Sequence, residues 1–149
     1  MRPRRSAGFA PRPDGPADLM PASVTTLRVR YAETDRMGVV YYAHYFVWFE
    51  VARAELLRTL GWTYRAMEDA GVLLPVIDAR CDYRRPARYD DEIEVRTQGR
   101  LVSPVRMEFI YDVHVRDGAE IARGRTVHAA TRRDGRPCRL PERIREAFA

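Results

Sequence analysis

One short segment near the start of the chain combines residue types that suit acyl transfer. Asp35 offers a carboxylate that can attack a carbonyl or activate water. It lies in a turn-forming run, residues 33–38, which leads into an apolar helix. Tyr41 and Tyr42 bring amide N–H groups close to the helix start, where unpaired donors and the helix dipole favour negative charge. Tyr31 adds a hydroxyl at the end of the preceding strand. The segment therefore predicts a carboxylate that faces oxyanion-stabilising donors.

The same aspartate has a purely structural interpretation. A lone Asp before a helix commonly caps the helix or closes a turn through its own side chain. Gly38, three residues later, favours the ligand-binding interpretation because a glycine lets the backbone approach a ligand closely. Spacing alone leaves both interpretations open.

Periodicity predicts the elements that position this segment. Residues 24–31 alternate, which places Leu27, Val29 and Tyr31 on one face of a strand. A helix follows, from Tyr42 to Leu60, with Gly61 at its C-terminal cap position. A short helix is predicted at residues 64–70. Four strands follow, joined partly by Asp-Gly turns, at residues 73–84, 91–101, 105–116 and 119–132, and a last helix is predicted at residues 142–148.

The long helix is apolar on every side between Tyr45 and Phe49, which predicts that its first turns are enclosed on every side. A curved sheet can enclose a helix in this way. Further along, Glu50 with Arg53, and Glu55 with Arg58, have the i,i+3 spacing of ion pairs. The order of elements predicts an α+β fold, with a five-stranded antiparallel sheet wrapped around one long central helix.

Composition restricts the function classes. The 149 residues carry a net charge of +5, with arginine as the basic residue throughout and no lysine. Arginine binds phosphate oxygens well, and the dispersed charge favours a phosphate-bearing small ligand over nucleic acid. No apolar run is long enough to span a membrane or serve as a secretory signal, so we expect a cytoplasmic protein that binds neither membrane nor nucleic acid. Cys81 and Cys138 are expected to be free thiols.

Prolines divide the chain into two parts. Residues 1–21 are rich in proline and arginine and cannot bury enough apolar surface to fold, so we expect a disordered tail. Residues 22–149 are then expected to form a single domain.

The segment around Asp35 also resembles a known family signature. Residues 31–45 fit the pattern Tyr-x-x-Thr-Asp-x-x-Gly-Val-Val-Tyr-Tyr-x-x-Tyr. This pattern is similar to that of the 4-hydroxybenzoyl-CoA thioesterase family of hotdog-fold acyl-CoA thioesterases, which includes the bacterial Tol–Pal-associated branch. The likeness continues through residues 48–53 and 83–91, and it covers roughly residues 24–149.

The resemblance implies a fold, an activity and roles for individual residues. It implies a hotdog fold and a thioester hydrolase that needs no cofactor or metal, with sites at the interface of a homodimer that commonly assembles to a tetramer. Asp35 matches the catalytic carboxylate, as general base or nucleophile. The amide N–H of Tyr42 matches the donor to the thioester carbonyl, and Tyr31 matches a tyrosine that lines the site. Gly38 and Val39 fall in the part of the signature expected to bind substrate.

Two positions depart from the Tol–Pal-associated pattern. Tyr42 stands where those proteins usually have histidine, which favours aromatic acyl substrates, and His44 stands where asparagine is usual. Helix geometry points His44 about 200° away from Tyr42, so we expect a structural or substrate-lining residue rather than a direct catalyst. Arg84, Arg85 and Arg88 form either a solvated loop or a site for coenzyme A phosphates.

Other functions remain open. The expected reaction is hydrolysis of a short-chain or aromatic acyl-CoA to the free acid and coenzyme A. The loss of the histidine allows a catalytically weak module that binds acyl-CoA or acyl carrier protein. A hotdog dehydratase fits less well, because such enzymes carry a histidine ahead of the central helix. His114 and His128 fall on neighbouring strands, where an Asp117-Gly118 turn would pair residue 114 with 121 and 128 with 107, so they are not expected to form a metal pair.

Overall fold

The computed structural model describes residues 21–149, in which five strands form one antiparallel sheet. The strands lie in the order β1-β3-β4-β5-β2. Their bounds are β1 Ala22–Arg28, β2 Val76–Tyr83, β3 Glu92–Ser103, β4 Arg106–Val115 and β5 Glu120–Ala129. Strands β1 and β2 are the two edges of the sheet.

Three helices accompany the sheet in the described residues: α1 His44–Thr59, α2 Tyr64–Asp69 and α3 Glu142–Phe148. Helix α1 ends as predicted, since Gly61 has a φ of +83° that glycine adopts without strain. Its start was wrong by two residues, because Tyr42 still lies in the preceding turn. The predicted Glu55–Arg58 ion pair is present at 3.3 Å.

The predicted Glu50–Arg53 ion pair is wrong. Arg53 is buried and donates its Nε–H to the hydroxyl of Tyr64 at 2.9 Å, which links α1 to α2. Glu50 lies on the exposed side of the helix.

The first strand also ends earlier than predicted. Leu27 and Val29 face inward as expected, but Tyr31 does not join them, since its side chain is 78% exposed. The strand ends at Arg28, and a single 3-10 turn over Tyr31–Glu33 then redirects the chain. Tyr31 therefore faces solvent at the mouth of the predicted site.

A tight turn at Asp117-Gly118 joins β4 to β5, as the sequence predicts. Asp117 has a φ of +54°, and His128 pairs with Met107 as expected. His114 pairs with Glu120 rather than residue 121, because a register shift lies between Val113 and His114.

Helix α1 packs its apolar side against the concave face of the sheet. The ring of Phe49 stacks on Tyr111 of β4, with centroids 4.3 Å apart, and also lies over Gly124 of β5. The prediction of enclosure on every side is wrong for one side, since Val47 is 47% exposed and Val51 is 39% exposed. One long helix held by a five-stranded antiparallel sheet is the arrangement of a hotdog fold.

Two predictions concern the ends of the chain and its environment. The expected tail, residues 1–21, lies outside the described residues apart from Pro21, so the division into tail and domain stays a prediction. Among residues 21–149, no helix is both long and apolar enough to cross a membrane.

Candidate active site

The turn around Asp35 is closed by the backbone and by the aspartate itself. The amide of Asp35 donates to the carbonyl of Val39 at 2.8 Å, and its own carbonyl accepts from the amide of Gly38 at 3.0 Å. Gly38 has a φ of +77°, and a Cβ there would meet nothing within 4 Å, so the turn conformation is what requires glycine. The amide of Met37 donates to Oδ1 of Asp35 at 2.8 Å. Oδ1 of Asp35 therefore closes the turn, as the structural interpretation predicts, while Oδ2 receives no hydrogen bond from the described residues.

Backbone hydrogen bonds fix this turn to the rest of the fold. The amide of Val40 donates to the carbonyl of Ala87 at 2.8 Å, and Val39 forms an antiparallel bridge with Arg88. On the other side, the amide of Tyr41 donates to the carbonyl of Glu33 at 2.8 Å. The turn is thus held between the 3-10 turn and the segment that follows β2.

A buried carboxylate lies two residues before Asp35. Glu33 is only 4% exposed, and its Oε2 accepts the indole N–H of Trp48 at 2.9 Å. Its Oε1 accepts the amide of Arg30 at 2.8 Å. Burial by itself would raise the pKa of Glu33, but these hydrogen bonds and the Arg30 charge lower it overall. The charged carboxylate therefore connects the turn to α1.

An open cleft of about 660 Å³ lies beside the turn. It contains three of the predicted site residues, Tyr31, Asp35 and His44, and its other lining residues are Ala32, Thr34, Arg36 and Tyr41. The imidazole of His44 lies edge-on to the ring of Tyr41, with centroids 6.0 Å apart. His44 therefore lines the same cleft as Asp35.

The start of α1 supplies amide donors. The amides of Tyr42 and Ala43 have no hydrogen-bond acceptor among residues 21–149, whereas the amide of His44 donates to the carbonyl of Tyr41 at 3.0 Å. Such unpaired N–H groups at a helix N-terminus, together with the helix dipole, attract negative charge. These amides can stabilise an oxyanion at the N-terminus of α1.

A second cleft, of about 290 Å³, lies beside the helix start. Val39, Tyr42, Arg84 and Arg85 are the predicted site residues that line it, together with Val40, Tyr45, Tyr83 and Pro86. Arg88 is not among its lining residues, and its amide donates to Asp91 at 2.9 Å. The structure thus brings two of the three predicted arginines to one cleft.

The remaining chemical side chains lie away from the turn. His128 is fully buried, with Nδ1 3.0 Å from the carbonyl of Leu74 and Nε2 2.9 Å from the hydroxyl of Thr126. Cys81 and Cys138 are free thiols, as predicted. In residues 21–149, no three carboxylate, histidine or cysteine side chains are grouped so that they could hold a metal ion.

Sequence reasoning missed three residues that shape the site. Glu33 and Trp48 position the turn, and the hydroxyl of Tyr83 donates to the carbonyl of Tyr42 at 2.8 Å. The only signal for Glu33 was its charge within an otherwise turn-forming run. For Tyr83, periodicity along the chain gives no signal, because its partner lies 41 positions away.

Comparisons with known proteins agree with this architecture. A family model described as the thioesterase-like superfamily matches residues 29–148. YneP of Bacillus subtilis (strain 168), provisionally assigned as an acyl-CoA thioesterase, is 47% identical over 78 residues, 52% of this chain and 56% of YneP. A 1,4-dihydroxy-2-naphthoyl-CoA hydrolase from Synechococcus is 30% identical over 125 residues, 78% of this chain and 82% of that protein. In the match to YneP, the chain spans little more than half of that relative's length.

Solved structures give the same result. The DHNA-CoA thioesterase from Staphylococcus aureus superposes with a TM-score of 0.77 at 35% sequence identity, over 80% of each chain. The five-stranded sheet and the long helix that it holds define a hotdog-fold protein. The chain belongs to the thioesterase-like superfamily.

Proposed function

We propose that this protein hydrolyses acyl-CoA thioesters, with Asp35 as general base or nucleophile. The observation that carries the proposal is that the two oxygens of the Asp35 carboxylate have different hydrogen-bonding environments. Oδ1 accepts the Met37 amide, so the side chain is oriented, while Oδ2 has no donor among the described residues and Asp35 lines an open cleft. An oriented carboxylate with one unengaged oxygen suits attack on a carbonyl or removal of a proton from water.

The reaction follows from these positions. As general base, Asp35 takes a proton from water while the water oxygen bonds to the thioester carbon. As nucleophile, Asp35 forms an anhydride with the acyl group, and water then cleaves it. In both cases the carbonyl electrons move to oxygen and return as the carbon–sulfur bond breaks, which releases coenzyme A. The proposed oxyanion donor is the Tyr42 amide, and its lack of an acceptor among residues 21–149 supports this role.

The proposed substrates are short-chain or aromatic acyl-CoAs. Support comes from the names of the Synechococcus hydrolase and the Staphylococcus thioesterase, both of which refer to a naphthoyl-type acyl group. Tyr42 at the histidine position agrees with that preference. Arg84 and Arg85, in the second cleft, are proposed to bind the phosphates of coenzyme A, with Arg88 close by in sequence.

The proposed assembly is a homodimer that pairs further into a tetramer in the cytoplasm. Edge strand β2 leaves Val76 and Ile77 45% and 49% exposed, and α1 leaves Val47 and Val51 uncovered. An unpaired edge strand with exposed apolar side chains favours pairing with another strand. A second copy of this chain, joined along β2, would extend the sheet and cover these residues.

The proposed function is tested by Asp35→Asn in the full chain. We expect hydrolysis of acetyl-, octanoyl- and benzoyl-CoA, followed by thiol release, to fall by about a hundredfold or more. Asp134→Asn is a matched control, because Asp134 also closes a turn by accepting an amide hydrogen bond, from Arg136 at 3.0 Å. The control should keep wild-type turnover. Full activity of a folded Asp35→Asn variant would disprove the role of Asp35.

A further inference from the structure

Tyr83, the last residue of β2, contacts the start of α1 through its hydroxyl. The hydroxyl donates to the backbone carbonyl of Tyr42 at 2.8 Å. Its ring stands edge-on against the buried ring of Tyr45, with centroids 5.0 Å apart and planes at 90°. The ring contact restricts the direction in which the hydroxyl can point. The hydrogen bond therefore has a defined geometry rather than that of a freely moving surface side chain.

The bonded carbonyl belongs to a peptide that also carries an unpaired donor. A trans peptide is planar, so the carbonyl of Tyr42 and the amide of Ala43 point in opposite directions and move together. The amides of Tyr42 and Ala43 both have no acceptor among residues 21–149. Fixing the Tyr42 carbonyl therefore fixes the orientation of the Ala43 amide relative to the Tyr42 amide. A hydrogen bond to a carbonyl also polarises the peptide, which makes its N–H a stronger donor.

We propose that Tyr83 is a positioning residue for the oxyanion donors, holding the Tyr42 and Ala43 amides so that both can donate to the thioester oxygen. This role rests on the proposed hydrolysis and adds to it a second donor and the residue that orients it. Tyr83 does not take part in proton transfer. It acts through the peptide that it holds.

The alternative is a structural tether, in which Tyr83 only connects β2 to α1. The two roles differ in what the hydroxyl changes. A tether stabilises the fold, and its loss lowers the melting temperature. A positioning residue stabilises the transition state, and its loss lowers kcat while KM stays nearly constant, because the oxyanion forms only during the reaction.

Neither Tyr83 nor its neighbour Cys81 changes its protonation state at the pH of the assay. Burial raises the pKa of Tyr83 above its usual value, and burial raises the pKa of the neighbouring Cys81 thiol to about 11. Both groups keep their protons at neutral pH. The hydroxyl of Tyr83 remains a donor to Tyr42, and the ratio of wild-type to variant kcat should be constant from about pH 6 to pH 9.

The first experiment compares Tyr83→Phe with wild type, using benzoyl-CoA and the full chain. We expect kcat to fall about tenfold, less than the hundredfold or greater loss typical of removing a whole oxyanion donor, and KM to change less than about twofold. Tyr64→Phe is the matched control. It removes the hydroxyl that accepts from buried Arg53 at 2.9 Å, so it should lower the melting temperature and leave kcat unchanged.

The second experiment measures the carbonyl directly. In an Asp35→Asn background, benzoyl-CoA labelled with ¹³C at its carbonyl should show a lower infrared stretching frequency when bound. Adding Tyr83→Phe should remove part of that shift. An unchanged shift, an unchanged kcat, or a kcat ratio that varies with pH would overturn the positioning role.

The two proposals fail in distinguishable ways. Absence of thioester hydrolysis by the wild-type protein would contradict the proposed function, regardless of the result with Tyr83→Phe. Wild-type hydrolysis that is lost in Asp35→Asn but kept in full by Tyr83→Phe would leave the proposed function intact and reject the role of Tyr83.

Discussion

The carboxylate of Glu33 accepts the indole N–H of Trp48 at 2.9 Å, across 15 positions of sequence, and both side chains are buried. Glu33 ends the 3-10 turn that precedes Asp35, and Trp48 lies on the second turn of α1. One hydrogen bond therefore connects the acid turn to the helix whose N-terminus supplies the amide donors. It acts together with the backbone hydrogen bond from the Tyr41 amide to the Glu33 carbonyl in fixing the acid turn relative to the start of α1.

Trp48→Phe should destabilise the fold by about 1.5–3 kcal/mol beyond the loss of apolar contact, because it removes a hydrogen bond to a buried charged group. Urea unfolding at pH 7 measures the loss. Trp62→Phe is the matched control, since the indole N–H of Trp62 is buried and has no acceptor among residues 21–149. Equal losses in the two variants would show that the Glu33 hydrogen bond contributes nothing.

His128 should make stability depend on pH. Burial lowers its pKa from 6.5 to about 4. The unfolded chain therefore binds a proton between these values that the folded chain does not, so stability is complete above about pH 6.5 and falls as pH falls toward 4. We expect a loss of about 3 kcal/mol over that range from this residue.

Urea unfolding at pH 7, 6 and 5 tests this dependence. In His128→Gln the slope over the range should be reduced relative to wild type. A wild-type slope in His128→Gln would show that other groups cause the pH dependence.

Gly124→Ala should destabilise the core by about 1–3 kcal/mol or more. A Cβ at this position would lie 2.2 Å from the end of the Phe49 ring, and that ring is stacked on Tyr111 and cannot easily move. Gly118→Ala is the control, because a Cβ there would have its nearest neighbour at 3.4 Å, and we expect a change within about 0.5 kcal/mol. Thermal unfolding of both variants measures the difference, and a neutral Gly124→Ala would mean that the helix can move away from the sheet.

Ile77→Asp should weaken the proposed dimer. Ile77 lies on edge strand β2 with 49% of its side chain exposed, and a charge there opposes pairing with a second copy. Light scattering after size-exclusion chromatography should give a multiple of the chain mass for wild type and a smaller value for the variant. Arg133→Asp, outside the strands, is the control and should keep the wild-type mass. A monomeric wild-type protein would contradict the proposed assembly.

The strands, the long helix and the closing glycine were predictable because they are local. Alternation located β1 and β3–β5 to within a few residues, and Gly61 marked the end of α1. The family pattern also placed Asp35 in a turn before the helix. The exposed position of Tyr31 was not predictable, since the turn that ends the alternation depends on the burial of Glu33.

Contacts between distant side chains account for the other differences. Arg53 bonds to Tyr64 on another helix instead of pairing with Glu50 three positions away. Spacing on a helix indicates which side chains can meet, but burial and competing partners decide which do. Val47 is exposed when one chain is considered alone. The apolar pattern of a helix does not show whether such a residue is buried within its own chain or in an assembly.

The turn that carries Asp35 is held by main-chain groups of Val39, Val40 and Ala87. The side chains that line its cleft, such as Tyr31 and Arg36, take no part in those backbone hydrogen bonds. Under the proposed function, substitutions in the cleft walls would change which acyl groups fit while the acid stays in place. With that function, substrate preference could change one wall residue at a time without loss of the reaction.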